Sequence, residues 1–335
     1  MKSIEHYWYS RNIVSFLLLP LSWLYILLAS TRRLLYQSGI FKQTRLHVPV
    51  IIVGNISVGG TGKTPLTEWL VTCLKENGYK PGIVSRGYGG RAKHWPQQVR
   101  ADSDPVLVGD EPVLLAQHCQ CPLVVDPKRV RAAEFLLNKY DCDIIVADDG
   151  LQHYELARDI EIVVIDGVRR FGNGRCLPAG PLRETLSRLQ QVDYLVINNG
   201  FTCDGEFKMK IQAKQFCRVN EPTIVSESST FNNAGTVHAV AGIGNPQHFF
   251  DMLKSRQLNL IEHVFPDHYK YTETDIAFSD DYPIIMTEKD AVKCRPFADD
   301  NVWFLSVEPE LEHSLAGRIL SKLVQINTEQ QQSTH

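Results

Sequence analysis

The feature that most constrains this chain is a glycine-rich segment that directly follows an apolar run. Residues Val48–Val53 are apolar throughout except for Pro49, and the segment after them contains Gly59-Gly60-Thr61-Gly62-Lys63-Thr64. A buried strand, a glycine-rich turn and a helix in this order predict a phosphate-binding loop, because backbone N–H groups and a helix N-terminus converge on phosphate oxygens. In such a loop Lys63 contacts the β- and γ-phosphates and the Thr64 hydroxyl holds Mg²⁺. The sequence therefore predicts a nucleoside triphosphate site.

The match to the general pattern G-x-x-x-x-G-K-[ST] is incomplete at one position. Ser57 stands where the first glycine is expected, and Gly59 and Gly60 lie inside the loop, where they can supply flexibility instead. A glycine-rich turn that binds no ligand is the alternative interpretation. The strand, the lysine and the threonine favour the phosphate site.

Composition excludes several classes of protein. A length of 335 residues suggests about two domains, and a net charge of −3 does not favour a general nucleic-acid binder. The eight cysteines form no C-x-x-C pair, and Cys119-x-Cys121 is poor zinc spacing, so we expect reduced thiols. No feature of the sequence indicates an obligate protein partner.

The N-terminus contains a nearly continuous apolar segment. Residues 13–29 would span about 25 Å as a helix, and Arg11, Arg32 and Arg33 flank them. A cleaved signal peptide, a buried core helix and a membrane anchor are the three interpretations. Export would separate the phosphate loop from its nucleotide, so we favour an anchor that spans the membrane or enters one leaflet. Arg32 and Arg33 would keep the following domain on the cytoplasmic side.

Apolar runs alternate with helical stretches along the first two thirds of the chain. This order predicts a parallel sheet covered by helices on both faces, the architecture of P-loop nucleotide-binding domains. Such sheets bind ligands at the carboxyl ends of their strands, where the glycine-rich loop would lie. We expect an anchor and its flank over 1–40 and the P-loop core over 41–206.

A second pattern follows the core. Residues 208–213 alternate polar and apolar, which predicts a β-ribbon linker over 207–225. A second series of strands and helices predicts a smaller α/β domain over 226–325. Gly242-x-Gly244 lacks the third glycine of a dinucleotide motif and indicates a tight turn. The polar tail over 326–335 is expected to be disordered.

Two acidic segments are candidates for chemistry. The run Ile144–Ala147 ends in Asp148 and Asp149, which is typical of a Walker B strand whose carboxylate orients Mg²⁺ beside the phosphate loop. Gln152 and His153 follow and could face the same cleft, although His153 could equally be a surface loop residue.

The second acidic segment places Asp110 and Glu111 just before a predicted helix. Helix capping is one explanation for Asp110. The other is a carboxylate that accepts the proton of an acceptor hydroxyl as it is phosphorylated.

Basic and aromatic segments complete the candidate site. Arg129 precedes a helix, and Arg183 lies in a Pro/Gly-marked loop that would hold a guanidinium in place for a phosphate. Solvated loop arginines are the alternative. His268 could carry charge near neutral pH, although spacing alone favours a structural role. The segment Thr287–Asp290 could line an interdomain cleft or form internal ion pairs, and it does not match the N-K-x-D motif of guanine recognition.

Together these segments resemble the tetraacyldisaccharide 4′-kinase family of lipid A biosynthesis. The matching segments are Gly54-Asn55, Gly59–Pro65, Ser85–Tyr88, Gly109–Pro112, Asp148–His153, Leu177–Glu184, Phe265–Tyr269 and Thr287–Lys293. The similarity covers nearly the whole chain, including the N-terminal apolar segment. In this family Ser57 is not a departure from the loop pattern.

The resemblance implies a kinase that uses ATP and Mg²⁺ to phosphorylate the 4′-hydroxyl of a tetraacylated glucosamine disaccharide 1-phosphate. The product would be lipid IVA, formed at the cytoplasmic face of a bacterial inner membrane. The resemblance implies that Gly59, Gly60, Thr61, Gly62, Lys63 and Thr64 hold the phosphates. A membrane-associated ATPase switch of the partition type and an anchored kinase with a soluble acceptor are the rival interpretations. Val58 stands where the partition type typically has a lysine, which argues against the first rival.

The resemblance also assigns roles to the other candidates. Asp110 would be the base, assisted by His268 across the cleft, and Asp149 would support the metal and the base. Thr64, Asp148 and Glu111 would serve Mg²⁺. Our candidates for contacts with the anionic lipid acceptor are Arg129, Gln152, His153 and Arg183.

Overall fold

One mixed, mainly parallel sheet runs through the part of the chain that the structure describes. The computed structural model describes residues 7–10, 12–227, 231 and 235–332. The strands in chain order are β1 (Val50–Gly54), β2 (Pro81–Ser85), β3 (Gln97–Val99), β4 (Leu123–Val125), β5 (Ile144–Asp148), β6 (Ile160–Asp166), β7 (Tyr194–Asn198), β8 (Glu206–Arg218), β9 (Val225–Ser226), β10 (Thr236–Ala241), β11 (Asn259–Val264), β12 (Ile284–Thr287) and β13 (Val302–Leu311). The prediction of an α/β fold with a large parallel sheet is confirmed.

Helices connect most of these strands. They are α1 (Ile13–Leu17), α2 (Leu19–Gln37), α3 (Lys63–Glu76), α4 (Pro105–Val108), α5 (Asp110–Cys119), α6 (Arg129–Lys139), α7 (Pro246–Lys254), α8 (Glu288–Cys294) and α9 (His313–Gln332), with short 3₁₀ turns at Leu186–Gln191 and Glu273–Asp275. The helix expected after the glycine-rich loop is α3, Lys63–Glu76.

Strand β1 lies in the middle of the sheet and positions the glycine-rich loop. The strand order is β11-β10-β12-β13-β8-β7-β6-β1-β5-β2-β4-β3, with β9 paired to β8. Strand β1 runs parallel to β5 and β6, and all residues of these three strands are buried. Continuous apolar strands of this kind are buried on both faces of the sheet. Val53 pairs with Asp148, so β1 delivers its loop beside the predicted Walker B acids.

Strand β8 joins the two halves of the sheet. It pairs with β7 in parallel and with β13 antiparallel, over Glu206–Arg218. The alternation that predicted a half-exposed ribbon is present, since exposed and less exposed residues alternate along much of the strand. The segment is nevertheless an integral strand, because its backbone has neighbours on both edges. The division into separate domains stays a prediction.

The helices bury apolar stripes against the sheet. In the first half, Leu66, Leu70 and Leu74 of α3 pack on one face, while Ala133 and Leu136 of α6 pack on the other. Their spacing of three and four residues places them on one side of each helix. In the second half, α7 and α8 occupy opposite faces and form two further clusters.

The C-terminal helix α9 differs from the expected disordered tail. It continues to Gln332, and residues 333–335 lie outside the described residues. Leu315, Ile319 and Leu323 are fully or almost fully buried in the core of the first half, and Ile326 packs against the same cluster. Because these residues recur every three or four positions, the burial of this apolar stripe stabilises a helix whose end is polar. The prediction of disorder from residue 326 is wrong for residues 326–332.

Helices α1 and α2 show an inverted pattern of burial. Ser15 and Ser22 are 1% exposed, whereas Leu17, Leu28 and Leu34 are 70%, 62% and 63% exposed. The two helices meet at Leu18, two residues before Pro20, since proline lacks an N–H and is tolerated only in the first turn of a helix. Among the described residues, no helix combines the length and apolar character needed to cross a bilayer.

We predict opposite effects on stability at two glycines. A Cβ on Gly54, at the end of β1, would lie 2.5 Å from the Leu151 Cβ and 3.1 Å from its backbone nitrogen. Replacing Gly54 by alanine should therefore lower the free energy of unfolding by about 1–3 kcal/mol. Gly317 lies inside α9, and apart from its chain neighbours and its own helix backbone no atom of the described residues lies within 4 Å of its added Cβ, so Gly317→Ala should raise the free energy of unfolding by about 0.5–1 kcal/mol. Equilibrium urea denaturation measures both, and a fully stable Gly54→Ala protein would contradict the first.

Candidate active site

Three contacts hold the glycine-rich loop from outside. Gly62 ends the loop with φ of 97° as the N-cap of α3, a backbone conformation that glycine adopts without strain. Asn198, the last residue of β7, donates to the Thr61 carbonyl oxygen at 3.0 Å. Asn55 donates to the Thr61 hydroxyl at 3.1 Å, and Arg169 donates to the Gly60 carbonyl at 2.8 Å. Lys63 and Thr64 thus begin a helix whose N-terminus is fixed in place.

The pKa values of the paired acids at the end of β5 are shifted in opposite directions. Asp148 is 2% exposed, and burial together with the nearby charges of Glu111 and Asp149 raises its pKa to about 6. Among the residues that the structure describes, two long hydrogen bonds reach its carboxylate, from Thr67 Oγ1 at 3.3 Å and Ser85 Oγ at 3.2 Å. This is a carboxylate whose charge is weakly compensated within the protein. A cation beside it would therefore be stabilised.

Asp149, in contrast, is surrounded by cations. Burial alone would raise its pKa, but Lys63 and Arg183 outweigh that effect and lower it to about 2. Lys63 Nζ lies 3.6 Å from one carboxylate oxygen, and Arg183 Nη1 lies 3.3 Å from both oxygens. Asp149 has φ of 48°, so the backbone turns sharply directly after the strand. One carboxylate thus connects the phosphate loop with the loop that carries Arg183.

Asp110 and His268 meet across the two halves of the molecule. Asp110 is the first residue of α5 and 5% exposed, and His268 Nδ1 lies 3.1 Å from both of its carboxylate oxygens. Burial would raise the pKa of Asp110, but the hydrogen bond from His268 and the charge of Lys289 lower it to about 2. The pKa of His268 is raised, because this bond outweighs the effect of its own burial. The structure therefore brings together the predicted base and its partner, with the base ionised at neutral pH.

Two lysines of α8, Lys289 and Lys293, complete this cluster, and sequence reasoning gave neither of them a role. Lys289 Nζ lies 2.9 Å from Glu111 Oε1 and 3.4 Å from His268 Nε2. It also lies 3.3 Å from Asp267, and Lys293 Nζ lies 3.9 Å from Asp110. The signal was present, since Thr287–Asp290 follows a strand and was expected to line a cleft or form ion pairs. The partners of Lys289 lie 21 or more residues away and could not be identified from spacing.

Glu111 was predicted as a Mg²⁺ ligand, and in the structure it interacts with both Lys289 and Asp148. Its carboxylate forms the ion pair with Lys289, and its charge contributes to the raised pKa of Asp148. Its position near Asp148 agrees with the prediction, whereas the ion pair engages one of its oxygens. The metal role of Glu111 stays a prediction.

The predicted acceptor residues occupy different environments. Arg129 is 2% exposed, and its guanidinium donates to the Asp126 carbonyl oxygen at 3.0 Å. Desolvation lowers its pKa to about 10, despite the opposing charge of Asp148. A side chain this buried supports the loops around the acids, and the structure does not present it for direct contact with an acceptor. Arg183, with 28% of its side chain exposed, is more accessible.

Gln152 and His153 are half-buried rather than surface residues. Gln152 Nε2 donates to the Asn55 carbonyl at 3.1 Å and to Glu184 Oε1 at 2.8 Å, which joins the phosphate loop to the loop of Arg183. Burial and the charge of Arg129 lower the pKa of His153 to about 3. The imidazole of His153 is therefore neutral at physiological pH.

The second half of the molecule also touches the phosphate loop. Gly244 follows β10, and a Cβ there would lie 3.2 Å from the Gly60 nitrogen. Arg169 bridges the two segments, since it donates to the carbonyl oxygens of Gly244 at 3.2 Å and Gly60 at 2.8 Å. The turn at Gly242-x-Gly244 is thus a tight turn, as predicted, and it lies beside the loop.

A phosphate loop beside paired acids on a parallel sheet, with a buried carboxylate–imidazole pair opposite, defines the class of nucleotide-dependent kinases. Comparison with known proteins specifies the class. Residues 14–324 match the family model LpxK, tetraacyldisaccharide-1-P 4′-kinase. The chain therefore belongs to the tetraacyldisaccharide 4′-kinase family, and the resemblance seen in the sequence is confirmed.

Individual relatives agree with the family model. The chain is 51% identical over 322 residues to the tetraacyldisaccharide 4′-kinase of Nitrosococcus oceani, with 96% of this chain and 94% of the relative covered. It is 51% identical over 326 residues to that of Methylobacillus flagellatus, with 96% of each covered. The crystal structure of LpxK from Aquifex aeolicus in complex with ATP matches with a TM-score of 0.79 and 30% identity, covering 93% of this chain and 100% of that one.

We predict that Lys289 sets the acid limit of activity. Its charge lowers the pKa of both Asp110 and His268, so Lys289→Met should raise both pKa values. Asp110, the predicted base, then becomes protonated at a higher pH, and the acid limb of kcat/KM should move to higher pH. Lys270→Met, a change at an exposed lysine, is the control. An acid limb that stays in place in the Lys289→Met enzyme would contradict this account.

Proposed function

We propose that this chain transfers the γ-phosphate of ATP to the 4′-hydroxyl of a tetraacylated glucosamine disaccharide 1-phosphate, the activity named by its family. The observation that carries the proposal is the Asp110–His268 pair, with Nδ1 at 3.1 Å from both carboxylate oxygens, on a chain whose β1 ends in a phosphate loop. Together these elements provide a site for the phosphate donor and an acceptor for the proton of a hydroxyl. Family membership argues against the partition-type ATPase.

The protein's own residues account for each part of the transfer. The 4′-oxygen forms a bond to the γ-phosphorus as the bond between that phosphorus and the β,γ-bridging oxygen breaks, leaving ADP. Asp110, ionised at neutral pH, accepts the hydroxyl proton, while His268 fixes the orientation of its carboxylate. Lys63 and the backbone amides of the loop stabilise the negative charge of the transferring group. Lys289 keeps Asp110 from being protonated prematurely.

The donor set at the end of β5 fits Mg²⁺. Asp148 is a buried carboxylate with weakly compensated charge, and the hydroxyl of Thr64 and the carboxylate of Glu111 are hard oxygen donors. No group of three His, Cys, Asp or Glu side chains suited to a metal occurs in the described ranges. Mg²⁺ usually binds one or two carboxylates together with phosphates and water, so Asp148 and Glu111 would be sufficient protein ligands beside a bound triphosphate. When bound, the ion neutralises phosphate charge.

The N-terminal helices support action at a membrane surface. Nine large apolar side chains of α1 and α2 are more than half exposed, an apolar surface rarely left open on a soluble protein. They are Ile13, Phe16, Leu17, Leu21, Trp23, Leu24, Leu27, Leu28 and Leu34. A helix that lies in one leaflet buries such a face without spanning the bilayer. We place the protein at the cytoplasmic face of the inner membrane, where ATP and a lipid acceptor meet.

The same helices hold the loop of Arg183. Ser15 donates to the Ala179 carbonyl at 2.6 Å, Ser22 to Cys176 at 2.8 Å and the Tyr25 hydroxyl to Arg183 at 2.8 Å. The buried serines therefore lie on the side of each helix that faces the rest of the protein. Arg183 lies between this membrane-facing element and Asp149, a suitable position for contact with an anionic sugar lipid.

We predict that Asp110→Asn abolishes phosphate transfer but leaves ATP binding within about threefold of wild type. The substitution keeps the shape of the side chain and removes its capacity to accept a proton. Removing a catalytic acid or base typically slows a reaction by about 10²–10⁴-fold. Mass spectrometry of the lipid product and calorimetric titration with ATP measure the two effects. Asp102→Asn, at an exposed position, is the control, and near-normal turnover by Asp110→Asn would remove Asp110 from this role.

We also predict that the exposed leucines carry membrane binding. Replacing Leu17, Leu24 and Leu28 by serine should weaken binding to vesicles of phosphatidylethanolamine and phosphatidylglycerol at least tenfold, since burying each leucine contributes about 1.5–3 kcal/mol. Vesicle flotation measures the bound fraction. Val168→Ser with Phe201→Ser, two positions that are each 76% exposed elsewhere, is the control. Equal flotation of the triple variant and wild type would exclude membrane insertion by this face.

A further inference from the structure

Three helices meet at the imidazole of His118. This residue lies in the last turn of α5, with Nδ1 2.9 Å from Glu68 of α3 and Nε2 2.8 Å from Glu288 of α8. The side chains are 23%, 25% and 12% exposed in the same order, so the cluster is largely shielded from water. Glu288 lies 170 residues from His118 in the chain, which makes this a contact between the two halves of the sheet.

Each of these helices carries part of the candidate active site. Helix α3 begins with Lys63 and Thr64, and Glu68 is one turn beyond Thr64. Helix α5 begins with Asp110, about 12 Å along the axis from His118 at 1.5 Å per residue. In α8, Lys289 directly follows Glu288. A shift of any of the three helices would therefore move a phosphate-binding, proton-accepting or charge-compensating group.

Only the charged ring can form ion pairs with both carboxylates. A neutral imidazole donates from one nitrogen, whereas the imidazolium ion donates from both. Burial would lower the pKa of His118, but Glu288 and Glu68 outweigh it and raise the pKa to about 10. Burial lowers the pKa of nearby Arg295, and the charge of Glu288 partly opposes that effect. Without the ring, Glu68 and Glu288 would face each other as like charges in a partly buried site.

We propose that His118 is a positioning residue for the kinase reaction, holding the helices of Lys63, Asp110 and Lys289 in fixed alignment through its two ion pairs. The inference rests on the proposed function. His118 touches no candidate catalytic group itself and acts through the rigid helices that carry them. Misalignment of reacting groups by about 1 Å can slow catalysis about 100-fold. A contact that fixes the three helices can therefore affect turnover even though it lies about 12 Å from Asp110 along α5.

Four variants test the proposal. His118→Gln removes the charge, His118→Arg keeps a cation with a fork that can reach both carboxylates, and His118→Gln with Glu68→Gln also removes the repulsion. We expect His118→Gln to lower kcat about 10- to 100-fold while the Kd for ATP changes less than threefold. His118→Arg should restore most of kcat, and the double variant should recover part of it. His94→Gln, at an exposed histidine, should match wild type.

The pH profile tests whether the charged form of the His118 ring is the one that acts. Because the ion pairs are complete below a pKa of about 10, the ratio of wild-type to His118→Arg kcat should stay constant from pH 6.5 to 8.5. A ratio that falls with a midpoint below pH 8 would overturn the proposal. So would a His118→Gln enzyme with unchanged kcat and only a lower melting temperature, or a His118→Arg enzyme as slow as His118→Gln.

A measurement without turnover separates this inference from the proposed function. NMR titration of wild type should show His118 protonated through pH 8.5, and the pKa of His268 should differ between wild type and His118→Gln because Asp110 and Lys289 move relative to it. Identical His268 titrations in the two proteins would overturn the positioning role even if the acceptor proved to be a different lipid. A wild-type enzyme that phosphorylates no acylated disaccharide would count against the proposed function instead.

Discussion

The whole site depends on burying β1 in the middle of one sheet. Because β5 and β6 flank this strand in parallel and both faces are covered, the end of β1 has a single position relative to Asp148 and Asp149. The glycine-rich loop that follows β1 is therefore held beside these acids. On its other side, Asn198 of β7 donates a hydrogen bond to the loop. A strand at the sheet edge would leave the loop without these neighbours. The chemistry of phosphate binding thus begins with hydrophobic packing below the site.

Charge compensation organises the chemistry above that sheet. Four carboxylates converge there, and the protein pairs them unequally: Asp149 with Lys63 and Arg183, Asp110 with His268, and Glu111 with Lys289. Asp148 is left with two long hydrogen bonds from hydroxyl groups and a raised pKa. The unequal pairing separates a carboxylate suited to a cation from one suited to accepting a proton. Residues from both halves are needed, so the acid–base pair exists only where the halves meet.

Local signals in the sequence predicted most of the central elements. The glycine-rich loop, the continuous apolar strands and the acids after β5 each depend on neighbours in the chain, and the structure places them as expected.

Long-range and marginal elements were missed. Strand β11 has one mostly exposed edge and a weak apolar signal, and the polar end of α9 is helical because Leu315, Ile319 and Leu323 pack on a distant sheet. The partners of Lys289 and His118 escaped notice because an ion pair over 170 or more residues leaves no periodicity to detect. Arg129, a loop arginine by its sequence context, is buried by tertiary packing that no local pattern encodes.

The inward-facing serines of α1 and α2 have a mechanical consequence. Their hydroxyl groups bind the backbone of the segment from Cys176 to Ala179, and Tyr25 binds that of Arg183, so three hydrogen bonds connect the leucine-covered helices directly to this loop. The Arg183 backbone nitrogen also donates to the Ile56 carbonyl at 2.6 Å, and its guanidinium contacts Asp149. A displacement of α2 would therefore pull on the segment after β1 through the Arg183 loop, which couples the leucine-covered helices to the phosphate loop by a route that bypasses the core of the sheet.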